Sequence, residues 1–308
     1  MISVVSPVYG CTDSLMELCR RTTQVLERTG EDFEMILVDD GDRDGAWSAI
    51  EALAAGDPRI RGIRLSRNFG QHHAISAGIE HSVGSHVVVM DCDLQDRPEE
   101  IPRLLDTARK GFEVVFAQRI DRRDAVLKRW ASRLFYRCLT SLTGVPYDHT
   151  VANFGIFSRK VIDTLKRMPE SDRCFPLMVK WTGLRSTSIA VDHAERLHGR
   201  SSYGIRSLIR LALNIVLSYS DKPLRMVVKL GMLFSLFAFV VVGISIYLYL
   251  VKSIAVAGYT SIIASIWLMG GVSVFCIGVI GLYVGRLFED AKRRPHYIVE
   301  QRVNFSEG

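Results

Sequence analysis

The chain has 308 residues, 48% hydrophobic and 23% charged, and 39 Lys and Arg against 33 Asp and Glu give it a formal net charge of +6. That length holds one large domain plus additional segments. The basic excess does not call for nucleic acid, because the basic residues crowd near two long uncharged stretches toward the C-terminus, where an anionic membrane surface accounts for them.

The first half alternates strands and helices. Strands are expected at Ile2–Val8, Phe33–Asp39, Ile60–Leu65, His86–Asp91 and Glu113–Gln118. Because the N-terminus is already a strand, no signal peptide is expected. Asp13–Arg28 has helical spacing of Leu15, Leu18, Thr22, Val25 and Leu26, with Gly30 placed to end the helix. Further helices are expected at Ala46–Ala55 and Ala74–His81. This alternation predicts an α/β fold with a doubly wound, mostly parallel sheet.

Polar chemistry collects where those strands end. Pro7 and Tyr9 follow the first strand, Asp39, Asp40 and Asp42 the second, and Ser66, Arg67 and Asn68 the third; Arg119, Arg122 and Arg123 follow the fifth. Open α/β sheets bind ligands at such an edge. The fourth strand is the most informative: Val87-Val88-Val89-Met90 runs straight into Asp91-Cys92-Asp93-Leu94-Gln95-Asp96. Asp91, Asp93 and the Gln95 amide are hard oxygen ligands suited to Mg2+ or Mn2+, which are held by one or two carboxylates plus substrate phosphates. The purely structural alternative is an acidic strand-to-helix turn, with Asp96 capping a helix before Pro98.

Asp124–Thr143 reads as an amphipathic helix whose basic face carries Arg129, Ser132 and Arg137; Arg there presents a planar donor fork to phosphate. Ile205–Ser220 carries a narrow polar stripe of Arg206, Arg210, Asn214 and Ser218 on an apolar cylinder, the pattern of a helix lying in a membrane interface. Uncharged runs at Leu230–Val251 and Ser253–Gly285 are each long enough to span a bilayer. Lys222, Arg225 and Lys229 precede the first, Arg286, Lys292, Arg293 and Arg294 follow the second, and only Lys252 lies between, so both termini and the large domain are expected in the cytoplasm. In that reducing compartment the six scattered cysteines read as free thiols, with Cys92 a small packing residue. Gly270-Gly271 and Gly278–Gly281 permit close helix packing within or between chains, which leaves a homo-oligomer open.

Taken in order, Ser6-Pro7-Val8-Tyr9, Val38-Asp39-Asp40-Gly41, Leu65-Ser66-Arg67-Asn68-Phe69-Gly70, Asp91-Cys92-Asp93-Leu94-Gln95-Asp96, Arg196-Leu197-His198-Gly199-Arg200-Ser201-Ser202-Tyr203 and two C-terminal spans resemble the family-2 glycosyltransferases of GT-A fold. Within them the chain looks like the polyisoprenyl-phosphate transferases, such as dolichol-phosphate mannose synthase and bacterial enzymes that load undecaprenyl phosphate. The resemblance implies a catalytic domain over 1–204, a juxtamembrane helix over 205–222, two transmembrane helices within 223–287 (near 228–251 and 262–285) and a cytoplasmic tail over 288–308. The whole would be a multi-pass protein of the inner membrane.

The resemblance also implies roles. Pro7, Tyr9 and Asp39 would line the base and ribose pocket with Asp40 close by, and Asn68 would shape the donor pocket. Asp91, Asp93 and Gln95 would surround the metal on the donor diphosphate, which Arg196 would clamp. Arg119, Arg129 and Ser132 would receive the lipid phosphate. The expected reaction is direct, inverting displacement by the phosphate of a polyprenyl lipid on a nucleotide-sugar.

Two departures stand out. Gly10 and Cys11 occupy the place of the family's Asn-Glu, which removes a polar base or ribose contact. Ala152-Asn153-Phe154 replaces the Gly-Asp-Phe of close relatives. An amide takes no proton, but a phosphate monoester has its second pKa at about 6 and is mostly dianionic at neutral pH, so Asn153 is expected to contact the sugar with no general base required. The competing expectations are a family-2 transferase acting on a glycan or glycolipid, and a non-enzymatic membrane scaffold.

Overall fold

The computed structural model describes residues 1–119, 151–170, 173–192, 220, 222–251 and 259–305. The helix expected over Asp124–Thr143, with Arg129 and Ser132, lies outside the described residues, as do Arg196 and 205–219.

Eight strands form one sheet: β1 (Ile2–Val8), β2 (Phe33–Asp39), β3 (Ile60–Leu65), β4 (His86–Val89), β5 (Val114–Arg119), β6 (Val151–Ser158), β7 (Ser186–Val191) and β8 (Val299–Val303), in the order β7-β5-β6-β4-β1-β2-β3-β8. The helices between them are α1 (Thr12–Thr29), α2 (Ala46–Gly56), α3 (Gln71–His81), α4 (Ile101–Ala108), α5 (Arg159–Lys166) and α6 (Phe175–Trp181). Strands β4, β1, β2 and β3 are mutually parallel, and β5 pairs parallel with β7. Two strands run against this direction, β6 between β4 and β5, and β8 on the far edge beside β3. The sheet is thus mostly parallel, as expected, with antiparallel insertions that the sequence reading did not foresee.

Strand side chains alternate between two apolar layers. Val4, Val8, Met35 and Leu37 face the layer containing Leu15, Leu18, Trp47 and Leu104, from α1, α2 and α4. Val5, Ile36 and Val38 face the other layer, with Ala74, Ile75, Val161 and Met178 from α3, α5 and α6. Burial on both faces explains why these strands read as continuous apolar runs. Helix α1 buries the stripe expected from its spacing and ends at Gly30, whose φ of 70° is left-handed. β1 and β4 are direct neighbours, so the loops that leave them start side by side.

A second compact unit contains α7 (Lys222–Leu250) and α8 (Tyr259–Ala291). They touch each other, and the Tyr283 hydroxyl donates to the Ser220 carbonyl at 2.8 Å. Leu236, Phe237, Val274, Phe275 and Leu287 are exposed, more apolar surface than water tolerates on a free protein. Among the described residues one segment, Leu268–Ala291, is long and apolar enough to cross a membrane, where the sequence reading expects two. The tail beyond this unit is not a bare extension: β8 joins the sheet of the first unit, and Asn304 donates to the carbonyls of Ala54 and Ile60.

Candidate active site

The carboxyl ends of β1 to β5 lie at one sheet edge, and β1 to β4 each bring a polar loop to it. β6 runs the other way, with Gly155 opposite Val89, so its N-terminal part, including Asn153, lies at the same edge as Asp91. Asn153 is half-buried there. Arg119 ends β5 at this edge.

The first two loops are tied together by Asp42. Its Oδ2 accepts from the Gly10 amide at 2.6 Å and its Oδ1 from the Asp44 amide at 2.7 Å, while its own amide donates to Asp39 Oδ1 at 2.8 Å. Pro7 is buried in β1, and Tyr9, just beyond it, is 60% exposed. Asp39 is fully buried, and its Oδ2 accepts no hydrogen bond among the described residues; Arg64 Nε stands 3.6 Å away. Burial pushes the Asp39 carboxyl up from its ordinary value, against the pull of the Asp42 amide and Arg64. A buried oxygen lacking a hydrogen-bond donor is costly, and the Arg64 guanidinium at 3.6 Å offsets part of that cost through charge.

Asp40 has a different task from its neighbour. Its two oxygens accept from the amides of Phe69 at 2.7 Å and Gly70 at 2.9 Å, which anchors the loop that carries Asn68. Asn68 is exposed on that loop, and the Arg67 guanidinium lies 4.0 Å over the Phe69 ring. Asp40 therefore holds the loop and leaves Asn68 facing outward.

Burial raises the Asp40 pKa from 3.8 to about 6, although the two amides oppose the shift. The folded chain therefore keeps this proton at pH values where the unfolded chain has released it. The contribution to stability is present below about 4 and is lost as pH rises to about 6. Urea unfolding without divalent metal should show wild type losing stability relative to Asp40→Asn across that window, with a constant difference above pH 7. A difference that does not vary with pH would refute the raised value.

The third segment is the metal-ligand candidate. Asp91, Asp93 and Gln95 are half-buried and follow one another on a loop that turns back at Leu94, whose φ is 60°. Asp91 Oδ1 accepts from Gln71 Nε2 at 2.6 Å, and Asp93 Oδ1 accepts from the backbone N–H of Gln95 at 3.1 Å. Asp96 closes the loop by accepting from the Asp91 amide at 3.2 Å; it does not cap the turn at Pro98–Glu100, which has no side-chain cap. Among the described residues no three His, Cys, Asp or Glu side chains converge as a complete metal cage. Two carboxylates with an amide oxygen suit an ion that takes its remaining ligands from phosphate and water.

Asp42 is legible in the sequence only as one of the polar groups after β2, and Gln71 and Ser14, whose hydroxyl lies 2.8 Å from the Cys11 carbonyl and 2.7 Å from the Cys92 carbonyl, carry no sequence signal as positioning residues. Gln71 was hidden because α3 starts there and not at Ala74, after Gly70 at φ 100°. Sequence reading also took every cysteine for a thiol, and this is corrected: Cys11 and Cys92 form a disulfide, while Cys19 and Cys276 remain thiols. The pair is 81 residues apart in sequence, and only the adjacency of β1 and β4 brings it together.

Residues 3–178, more than half of the chain, match the family described as Glycosyl transferase family 2. The chain is 35% identical over 309 residues to an undecaprenyl-phosphate 4-deoxy-4-formamido-L-arabinose transferase of Aeromonas hydrophila, covering 98% of this chain and 94% of that one. It is 34% identical over 300 residues to the glycosyltransferase YkcC of Bacillus subtilis, covering 97% and 93%. In three dimensions it is similar to glucosyl-3-phosphoglycerate synthase of Mycobacterium tuberculosis, with a TM-score of 0.54 at 16% identity over 72% of this chain and 80% of that one. The mixed sheet with its polar edge, the order of the motifs along it and these likenesses agree: the chain belongs to glycosyl transferase family 2 and is a glycosyltransferase of GT-A-like fold.

Proposed function

We infer that the chain transfers a sugar from a nucleotide-sugar to a polyprenyl phosphate, with inversion, at the cytoplasmic face of a membrane. The observation that carries this reading is likeness along nearly the whole chain, the C-terminal apolar helices included, to a protein named for transfer to undecaprenyl phosphate. A family-2 domain alone would leave the acceptor open. The apolar exteriors of α7 and α8 support the lipid reading, because a polyprenyl tail stays in the bilayer while its phosphate sits at the interface. Two spans, near 228–251 and 262–285, with the basic residues on the cytoplasmic side, complete the arrangement.

Each residue at the edge has a task in this reading. Asp39 accepts from the base or ribose, beside Pro7 and Tyr9. Asp40 fixes the Asn68 loop that borders the donor. Asp91, Asp93 and Gln95 would hold Mg2+ or Mn2+, which when bound would supply positive charge to the donor diphosphate. Arg196 adds its guanidinium to that diphosphate. Arg119, Arg129 and Ser132 receive the acceptor phosphate, whose own oxygen is the nucleophile. Asn153 contacts the sugar and leaves proton removal to no residue, since a phosphate dianion has none to lose.

The test is a donor screen on the full chain in nanodiscs containing undecaprenyl phosphate. UDP-, GDP- and dTDP-sugars are supplied with Mn2+ or Mg2+, and both the released nucleoside diphosphate and the mass of the lipid are read. One donor should give release that depends on the lipid, together with a lipid heavier by one sugar. Release that occurs only with a glycan or glycolipid acceptor would replace this reading with the other family-2 activity.

A further inference from the structure

Cys11 and Cys92 bracket the donor edge. Cys11 lies two residues after Tyr9 and immediately precedes α1, and Cys92 sits between Asp91 and Asp93. Their disulfide therefore joins the loop on the base side of the edge to the loop that carries the metal ligands. The Cα atoms are 6.2 Å apart, within the span a disulfide bridges without moving backbone.

That proximity does not depend on the bond. β1 and β4 are paired through Val5 and Val89, and the Ser14 hydroxyl meets both loops, 2.8 Å from the Cys11 carbonyl and 2.7 Å from the Cys92 carbonyl. With the sulfurs reduced, the sheet and Ser14 still hold the two thiols within reach of each other. Access differs between them: Cys92 is buried in the apolar layer, while Cys11 is half-buried at its rim. A small reagent meets Cys11 first.

We propose that Cys11 and Cys92 are a reversible thiol–disulfide site that locks the Asp91–Asp96 loop and so tunes the grip on the divalent metal. The oxidant is a low-molecular-weight disulfide. The Cys11 thiolate attacks one of its sulfurs and expels one thiol, forming a mixed disulfide. The Cys92 thiolate then attacks Cys11 and expels the second thiol. Two thiols are oxidised and one external disulfide is reduced to two thiols; excess small thiol reverses the sequence. A chain whose catalytic domain faces a reducing compartment would carry the open form at rest and the closed form under oxidation. The metal half of this proposal rests on the reading of Asp91, Asp93 and Gln95 given above; the lock itself does not.

The experiment uses the full chain in detergent, equilibrated with reduced or oxidised glutathione. Intact mass after alkylation reads the bond, hydrogen exchange of a peptide covering residues 90–97 reads the loop, and electron paramagnetic resonance of free Mn2+ reads the metal. Oxidation should close the Cys11–Cys92 bond, slow exchange in that peptide, and tighten Mn2+ by about tenfold, the lower end of what positioning groups around a metal contribute. Cys11→Ser should behave as the reduced wild type at every glutathione ratio. Failure of the bond to form at any ratio, or identical loop exchange in both states, overturns the proposal. A loop that slows on oxidation while Mn2+ binds neither form would instead leave the lock standing and remove the metal reading. Because wild type alone reports both states, a Cys11→Ser chain that fails to fold does not affect the outcome.

Discussion

Asp93→Ala is expected to lower turnover on the order of a thousandfold, because a divalent ion held by Asp93 would supply charge stabilisation of several kcal/mol to the donor diphosphate, and about 4 kcal/mol corresponds to that factor. Asp93 has a second duty, since its Oδ1 accepts from the backbone amide N–H of Gln95. Asp93→Asn separates the two: it keeps an oxygen for that amide and removes the negative charge. If charge on the metal is what matters, Asn should lose nearly as much turnover as Ala, while the loop keeps its shape and the melting temperature stays within a few degrees. Nucleoside diphosphate release measured across a Mn2+ titration decides the matter, since a weakened ligand set is partly rescued by more metal. A variant that turns over like wild type would remove Asp93 from the ligand set.

The parts of this site that were legible in the sequence are those written in local pattern. β1, β2 and β3 were readable to the residue because β1 and β2 are mostly apolar runs, Ile60, Ile63 and Leu65 mark out β3, and all three stop at a polar or glycine-rich loop. β8 was not, because Val-Glu-Gln-Arg-Val is an edge strand with its three central residues exposed, and charged residues are what protects an edge. β6 was hidden by Asn153 and Gly155 within it. Yet Gly155 belongs there, because a Cβ would lie 2.7 Å from the Val115 carbonyl oxygen of the neighbouring strand. The separate tasks of Asp39 and Asp40 were equally out of reach. The two stand side by side in one motif, and only the fold decides that Asp40 is occupied by the backbone amides of the Asn68 loop while Asp39 is held by the Asp42 amide and the Arg64 charge. Cys11 had a meaning in sequence only as a lost polar contact; its partner became visible once β1 and β4 were neighbours.

Gly41→Ala should be the most damaging small substitution at this edge, and it shows why two separate motifs must coexist. Gly41 has φ 68°, and a Cβ there would sit 2.5 Å from the Arg67 carbonyl carbon, 2.6 Å from the Asn68 nitrogen and 2.9 Å from the Arg67 Cα. These are backbone atoms, so no side chain can swing aside. The Val38-Asp39-Asp40-Gly41 and Ser66-Arg67-Asn68-Phe69-Gly70 segments thus fit as one piece: Asp40 draws in the amides of Phe69 and Gly70, and the bare Gly41 lets Arg67 and Asn68 come close enough for that. A methyl group forces either overpacking, at about 1–3 kcal/mol, or retreat of the loop, which strips Asp40 of two amide donors and moves Asn68 from the donor edge. The left-handed backbone adds about 1 kcal/mol more. Gly45→Ala supplies the comparison within the same stretch, because Gly45 has φ 83° and nothing within 4 Å of a Cβ. It should cost only the backbone term of about 1 kcal/mol. Urea unfolding should therefore place Gly41→Ala well below Gly45→Ala in stability, and titration with the donor identified by the screen should show weakened binding for Gly41→Ala alone. Equal destabilisation by the two substitutions would mean that the close approach of the Arg67–Asn68 backbone is not what Gly41 provides.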